Sequence, residues 1–530
     1  IMTMKSLLLI AVLVGPADCQ QAMLTLSGAS CVEELSSDEV LRYQALSEHP
    51  LDLNLAGESR LRSSGLFSPF QLASLLEYRR ESGDILSFAE LGLIDGFSRS
   101  FAEALSYFVS LRSSSPPGHR RRLDFHNTLT LKASGRQTGE LAYGLRYEAS
   151  LGERAELRWT SRTTYSEPEP GIGTVSAAYY GRGALGKVVV GNYGARFGQG
   201  LVMWSGFVMS GYGPAESFCR KAGGLSVTGA AGAEFLGVAS DWRIGGNRLS
   251  AAVSVDGAGT VVNLARDWRR VSAGVTAGLE AASADWRVAF PGGSFFGEAA
   301  CSYRGRPSAL AGVQWIPRYG HKLSFLARWY DLRTRLYSGV AAGYDSPSLL
   351  LSADSGYRRD KGFWQHKFMC VLRPAFTCGE LSLAPSLRVS GRLRPSDKSP
   401  FRCELRPEVK GRLGGWILEC RCDALWCKGF AWLSCIDAGF DGERFDARLR
   451  GGVFKIDNWD DRIYVYEYDA PGNFNVPAYY GRGWNASLYL GWHISKAHSL
   501  WLRASMISYP WNSEPEDGRN ELKLQYRLSL

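Results

Sequence analysis

Two periods of apolar residues divide the chain. Between Leu51 and Leu111 apolar side chains recur at helical spacing, and from Leu123 onward they recur at every second position. The helical part opens on Leu51, Leu53 and Leu55 alternating with Asp52, Asn54 and Ala56, a short extended lead. A brief helix is predicted over residues 58–62. Ser68 then caps a longer helix with Pro69 at its first position, and Phe70, Leu72, Leu75 and Leu76 form its apolar face. Gly83 closes that helix, and Ser87-Phe88-Ala89-Glu90 reads as a capping box for a third. Gly96-Phe97-Ser98 makes a tight turn into a last helix near residues 99–108, which buries Phe101, Ala104, Leu105 and Phe108. Ahead of this block, Ser36-Ser37-Asp38-Glu39 caps a helix over residues 40–46 within a lead-in of residues 20–50.

The period-two part begins with Leu123, Phe125, Leu129 and Leu131. Similar runs cover residues 141–147, 156–160, 187–191, 249–255, 272–277, 323–329, 381–389, 446–453, 462–467, 488–492, 500–504 and 522–530. Turn residues separate them, among them Gly152-Glu153-Arg154, Gly245-Gly246-Asn247, Asp256-Gly257 and Asp441-Gly442-Glu443. Alternating strands of this length with short turns predict a transmembrane β-barrel, and their spacing gives about 20–24 strands. The fold expected is mainly β: a large antiparallel transmembrane β-barrel (residues 123–530) preceded by a small all-α domain (residues 51–112) and a linker (residues 113–122). No run of 18 apolar residues offers a helical span. The final run, Leu522 to Leu530, is an alternating strand with an apolar last residue, the form outer-membrane barrels present to their assembly machinery.

Composition agrees with this division. Gly is abundant at 60, aromatic residues reach 12% and charged residues only 21%, while the mean hydropathy is −0.15. Lipid-facing apolar and lumen-facing polar residues average to such values. Met4-Lys5, the apolar run from Leu7 to Val14, and Gly15-Pro16-Ala17-Asp18-Cys19 have the form of a signal peptide over residues 1–19, with cleavage after Cys19. The remaining cysteines are too dispersed for a disulfide framework. Cys420 and Cys422 share one strand face, where cysteine serves as a small apolar filler rather than a metal ligand. The 7 histidines make no ligand spacing, and neither a nucleophile elbow nor a phosphate loop is present. No metal, no cofactor and no enzyme activity are expected. Aromatic residues near strand ends, Trp204, Trp315, Trp329 and Trp416 among them, suggest interfacial girdles.

Leu53-Asn54-Leu55-Ala56, Glu77-Tyr78-Arg79 and Ser87-Phe88-Ala89-Glu90-Leu91 together resemble the double helix-hairpin-helix domain of competence-type DNA receptors. In that family hairpin glycines bring main-chain N–H groups to a phosphate. The matching turns here are Gly65-Leu66-Phe67-Ser68 and Gly96-Phe97-Ser98, which alter at least two of the three usual residues in each hairpin. The resemblance implies Gly65, Ser68, Gly96 and Ser98 as anion or nucleic-acid contacts, and Arg120, Arg121 and Arg122 after the linker could meet phosphates of DNA or lipid. A second stretch, from Gly191-Asn192-Tyr193-Gly194 through Phe197-Gly198-Gln199-Gly200-Leu201 to Trp204-Ser205-Gly206, resembles the G-D-Y-x-x-x-F-G-Q-G-L-x-L-W-x-G segment of helix-hairpin-helix outer-membrane proteins of Bacteroidota-type bacteria, with Asn192 in place of Asp. Residues 462–483 are similar to that family's C-terminal part. The glycine-rich turn is expected to fold into the lumen as a constriction carrying Gln199 and Trp204. The function expected is an outer-membrane channel or envelope-complex component, with its helices in the periplasm. Alternatives are DNA uptake through the hairpins and a scaffold for an assembly or secretion complex. The partners expected are membrane lipid, an envelope protein and DNA.

Overall fold

A computed structural model describes residues 19–114, 125–167, 169–206, 218–227, 235–268, 270–318, 320–332, 336–395, 399–512 and 517–530. Residues 1–18 of the expected signal peptide and the arginines Arg120, Arg121 and Arg122 lie outside them. The strands close into one antiparallel ring of 24. Two of the ring's positions are split strands: Gly224–Val227 and Phe235–Ile244 both pair with Leu185–Arg196, and Phe363–Leu372 and Phe376–Cys378 both pair with Leu381–Leu393. The ring closes between the first strand, Phe125–Arg136, and the last, Arg519–Ser529, in register from Thr128↔Ser529 to Arg136↔Glu521. All other barrel pairings follow chain order, with one jump from Phe445–Ile456 to Gly481–His493.

That jump corrects one sequence expectation. The run at residues 462–467 is no barrel strand. It contributes only Ile463–Tyr464, paired with Ala478–Tyr479 in a separate two-stranded ladder. Elsewhere the alternation separates two faces. Val275, Ile436 and Leu449 are 54%, 55% and 57% exposed, while their neighbours Thr276, Asp437 and Arg450 are 1%, 3% and 5% exposed. The outer face is apolar and the inner face polar and charged, as a barrel in lipid requires. Outward aromatics gather at both rims. Trp242, Trp315, Trp416 and Trp492 lie toward the end that holds Phe125, and Trp159, Trp329, Trp364 and Trp426 toward the other. Trp204 belongs to neither girdle. Cys420 and Cys422 face outward among Val409, Ile436 and Val453.

The helical part follows the sequence closely. Its helices are Cys19–Ser27, Ser37–Glu48, Glu58–Ser63, Pro69–Glu81, Phe88–Leu91 and Arg99–Leu105. Ser36 and Ser68 each close a full capping box, with Glu39 and Gln71. Residues 51–52 and 109–110 pair as a short parallel ladder that ties the block's two ends together. One apolar cluster runs from Ala22 to Val109, so the lead-in shares its core with the block that follows. Expected outside the barrel, this block instead lies within the ring, against the inner face of strands from all round it.

Candidate functional site

The lumen is filled from both ends. From the end holding Phe125 comes the helical block, and a series of ion pairs joins it to the wall. Arg60 pairs with Glu153 at 3.1 Å and Glu156 at 2.8 Å, and Arg62 pairs with Asp267 at 2.8 Å. Asp38 meets Arg196 at 2.7 Å, and Glu48 meets Arg527 at 2.5 Å. Glu58 faces Arg243 and Arg248 at 3.6 and 3.7 Å. Glu34 pairs with Arg388 at 2.7 Å, and Glu33 meets Arg406 at 3.5 Å and, more closely, Arg421. Burial pushes the Glu33 carboxyl upward, but Arg421 and Arg406 overcome it and hold the group well below the usual glutamate range. Beside it, burial pushes the Cys31 thiol up to about 12, against the pull of Arg388. A cavity of about 130 Å³ remains between the Ser37–Glu48 helix and the wall, reached by Arg42, His49, His126, Arg146 and Glu148.

Two loops fold in from the opposite end. The glycine-rich turn places Gly198 and Gly200 at φ +56° and +80°, a backbone that residues with a Cβ seldom adopt. Its N–H groups then converge on one inward carboxylate: Gln199 N and Leu201 N donate to Glu298 at 2.6 and 3.2 Å. Gln199 is 9% exposed, and its side-chain oxygen accepts from Arg220 N at 2.9 Å. Trp204 bridges back to Arg196, with the Arg220 guanidinium 5.1 Å from its ring. Both residues therefore lie on the inner side of the wall. Asn192, where the resembled motif has Asp, accepts from Val175 N through Oδ1 at 2.8 Å, which a carboxylate oxygen would do equally well.

The second loop, residues 457–480, contains the run 462–467 whose alternation predicts a strand. Its Glu467 sits among Arg503, the Tyr479 hydroxyl and Asn475. Its Asp469 pairs with Lys523 at 3.0 Å. The loop meets the helical block directly: Tyr466 N donates to Glu33 at 3.0 Å, and Gly472 N donates to Gln44 at 2.8 Å. The only sequence signal for this role was a cluster of Tyr464, Tyr466, Tyr468, Glu467 and Asp469 too polar on both faces for a lipid-facing strand.

The two hairpin turns differ in their surroundings. Gln71 links the two turns, since its Oε1 accepts from Ser68 N at 2.9 Å and its Nε2 donates to Gly96 O at 2.9 Å. The Ser68 and Ser98 hydroxyls accept from Gln71 N and Phe101 N as helix caps, each at 3.2 Å. Leu66 and Phe67 of the first turn are buried, and Gly65 packs on the Arg42 guanidinium. The second turn, with Gly96, is open to solvent. Asn54 and Arg79 of the resembled pattern serve the block's own backbone. The Asn54 amide pairs with Ile85 N and O, and Arg79 donates to Ala56 O and Asn54 O. Among the described residues no group of three or more His, Cys, Asp or Glu could hold a metal ion.

A closed ring with an apolar outer face, a charged inner face and a filled lumen defines the class: a plugged transmembrane β-barrel of the outer-membrane type. No protein-family model and no curated protein matches the chain in sequence. Among solved structures it is similar to OccK3 (OpdO) of Pseudomonas aeruginosa, at 13% identity over 77% of this chain and 96% of that one, with a TM-score of 0.32. It is also similar to OprD of the same organism, at 8% identity over 77% and 94% with a TM-score of 0.34. OccAB4 of Acinetobacter baumannii matches at 9% identity over 78% and 100% with a TM-score of 0.30. The assignment to the class rests on this chain's own strand pairing and face polarity.

Proposed function

We propose that the protein is a transport channel of the bacterial outer membrane, held shut by its own helical block and opened when that block shifts. One observation carries this reading. The block keeps a closed apolar core of its own, joined from elsewhere, among the described residues, only by Tyr466 and Phe474, and it holds the wall through ion pairs. An element cored by itself and docked through charges can leave without exposing a shared core to water. The Gln199–Trp204 turn and the 457–480 loop narrow the lumen from the outside. Leu86 and Leu93, 79% and 88% exposed on the block, offer a periplasmic protein a place to take hold of the gate.

Planar-bilayer recording on the full chain tests the reading. The wild type is expected to stay mostly closed. The double variant Arg60→Ala/Arg62→Ala, which removes pairs to Glu153, Glu156 and Asp267, is expected to open at least about tenfold more often, since each lost pair weakens docking by more than ~1 kcal/mol. Identical silence in both proteins would count against a gated channel. Retention of duplex DNA by the intact protein at low salt would favour the uptake reading instead.

A further inference from the structure

Glu33 and Glu34 occupy a site whose donors belong to others. The Glu33 carboxylate accepts from Arg421 Nη1 and Tyr466 N through one oxygen, and its other oxygen faces Arg406 Nη1 at 3.5 Å. Beside it the Glu34 carboxylate accepts from Arg388 Nη2 at 2.7 Å and from Ser30 N at 2.7 Å. Arg388 also reaches the Cys31 sulfur through Nη1 at 2.7 Å. Apart from Ser30 N, every donor here comes from the barrel or from the inward loop. Main-chain N–H and paired guanidiniums around two oxygens are the recognition set of a carboxylate or a phosphate.

The wall cannot neutralise this set alone. Arg406 and Arg421 share Asp423 at 2.6 and 2.7 Å, and Arg406 also pairs with Glu404 at 3.1 Å. Three guanidiniums thus face two wall carboxylates, and the helical block supplies the rest. An unpaired buried guanidinium is costly, so any route that moves Glu33 and Glu34 aside favours a replacement anion. The wall also fixes the loop donor: Arg450 holds Tyr466 O at 2.7 Å and Arg421 holds Tyr464 O at 3.3 Å. Glu33 and Glu34 lie on the single turn Val32–Glu34, between the Cys19–Ser27 helix and the Ser36 cap. They can therefore swing away with no helix unwound.

We propose that Arg388, Arg406, Arg421 and Tyr466 N form a luminal station for the carboxylate or phosphate group of a transported solute, with Glu33 and Glu34 as its internal stand-ins in the closed barrel. This rests on the gate reading above and adds the trigger: an anion arriving from the outer side takes the station and loosens the block.

Amide hydrogen exchange on the full chain in detergent tests it, with citrate, inorganic phosphate and spermidine as probes. Citrate or phosphate is expected to speed exchange over residues 30–36 by about tenfold, while the ring strands stay protected. The better of the two anions names the group. Glu33→Gln/Glu34→Gln is expected to exchange fast without any anion and to respond no further, and Arg388→Gln to respond less than the wild type. Indifference to both anions would overturn the station, and so would an equal effect of spermidine, which reports screening alone. Bilayer current separates the two ideas. Residues 30–36 freed by citrate without current keep the station and remove the gate. Current that arises in Arg60→Ala/Arg62→Ala, together with indifference to citrate in exchange, keeps the gate and removes the station.

Discussion

Glu33 shows how one side chain can be decided by partners that its sequence neighbourhood does not reveal. Residues 31–35 lie in the lead-in and carry no motif of their own, and the arginines that hold Glu33 and Glu34 lie more than 350 positions away. Its pH dependence follows from the depressed carboxyl. The pairing stabilises the docked state fully above the ordinary glutamate range and is lost as pH falls through the lower folded value. The groups facing it are Arg421, Arg406, Arg388, Asp423, Glu404, Glu34 and Cys31. Exchange at residues 30–36 is therefore expected to be flat from neutral pH to the ordinary glutamate value and to rise only in strong acid, once intrinsic rates are divided out. Gly96 makes a simpler case. At φ +85° a Cβ would meet the Phe70 ring at 2.7 Å. Gly96→Ala is expected to destabilise the block by about 1–3 kcal/mol, read as local loss of exchange protection at residues 70–72.

At the scale of elements, the helices were legible because their signals are local. Ser36, Ser68 and Pro69 mark helix starts whatever surrounds them, and Ser68→Ala is expected to cost about 1 kcal/mol, visible as faster exchange of Gln71 N. The strands were legible because lipid and lumen impose opposite chemistry on alternate positions. The 457–480 loop defeated the same rule. Ile463 and Val465 pack among Leu425, Leu433 and Phe454 while Tyr464 and Tyr466 turn elsewhere, and alternation reports two environments without saying that one of them is lipid. Glu467 anchors this loop to the wall. Glu467→Gln removes one partner of the buried Arg503 pair and is expected to cost about 3–5 kcal/mol of loop docking. Limited proteolysis should then cut at 457–480 with the barrel intact. Tyr-Tyr-Gly-Arg-Gly occurs twice, at residues 179–183 and 479–483, and carries no shared role. Its copies sit at opposite ends of the barrel, Tyr180 contacting Glu156 and Tyr480 stacking on Tyr509.

For the whole molecule, the outer face sets the tolerance to change. Val275→Arg places a charge on the lipid side of Val271–Gly278 and is expected to cost ~2–4 kcal/mol at mid-membrane depth. Thr276→Ser on the opposite face should be close to neutral. Heat-modifiable migration in detergent gels reads the difference, since only the folded ring resists unfolding. Barrel class and helical block followed from periodicity, but the placement of one inside the other did not. The ion pairs that decide it join residues with no common pattern, Asp38 with Arg196 and Glu48 with Arg527.

The seam between Phe125–Arg136 and Arg519–Ser529 orders events during biogenesis. It joins strands from the two extremes of the ring, so its ladder is the last whose loop-closure entropy is met. The helical block emerges from the ribosome before any strand, yet ends encircled by all of them. Its charged surface is therefore available to guide successive strands while the sheet is still an open, curling ribbon. The ring is then zipped around its cargo, and a block deleted at the outset would leave the assembling wall without its template of countercharges.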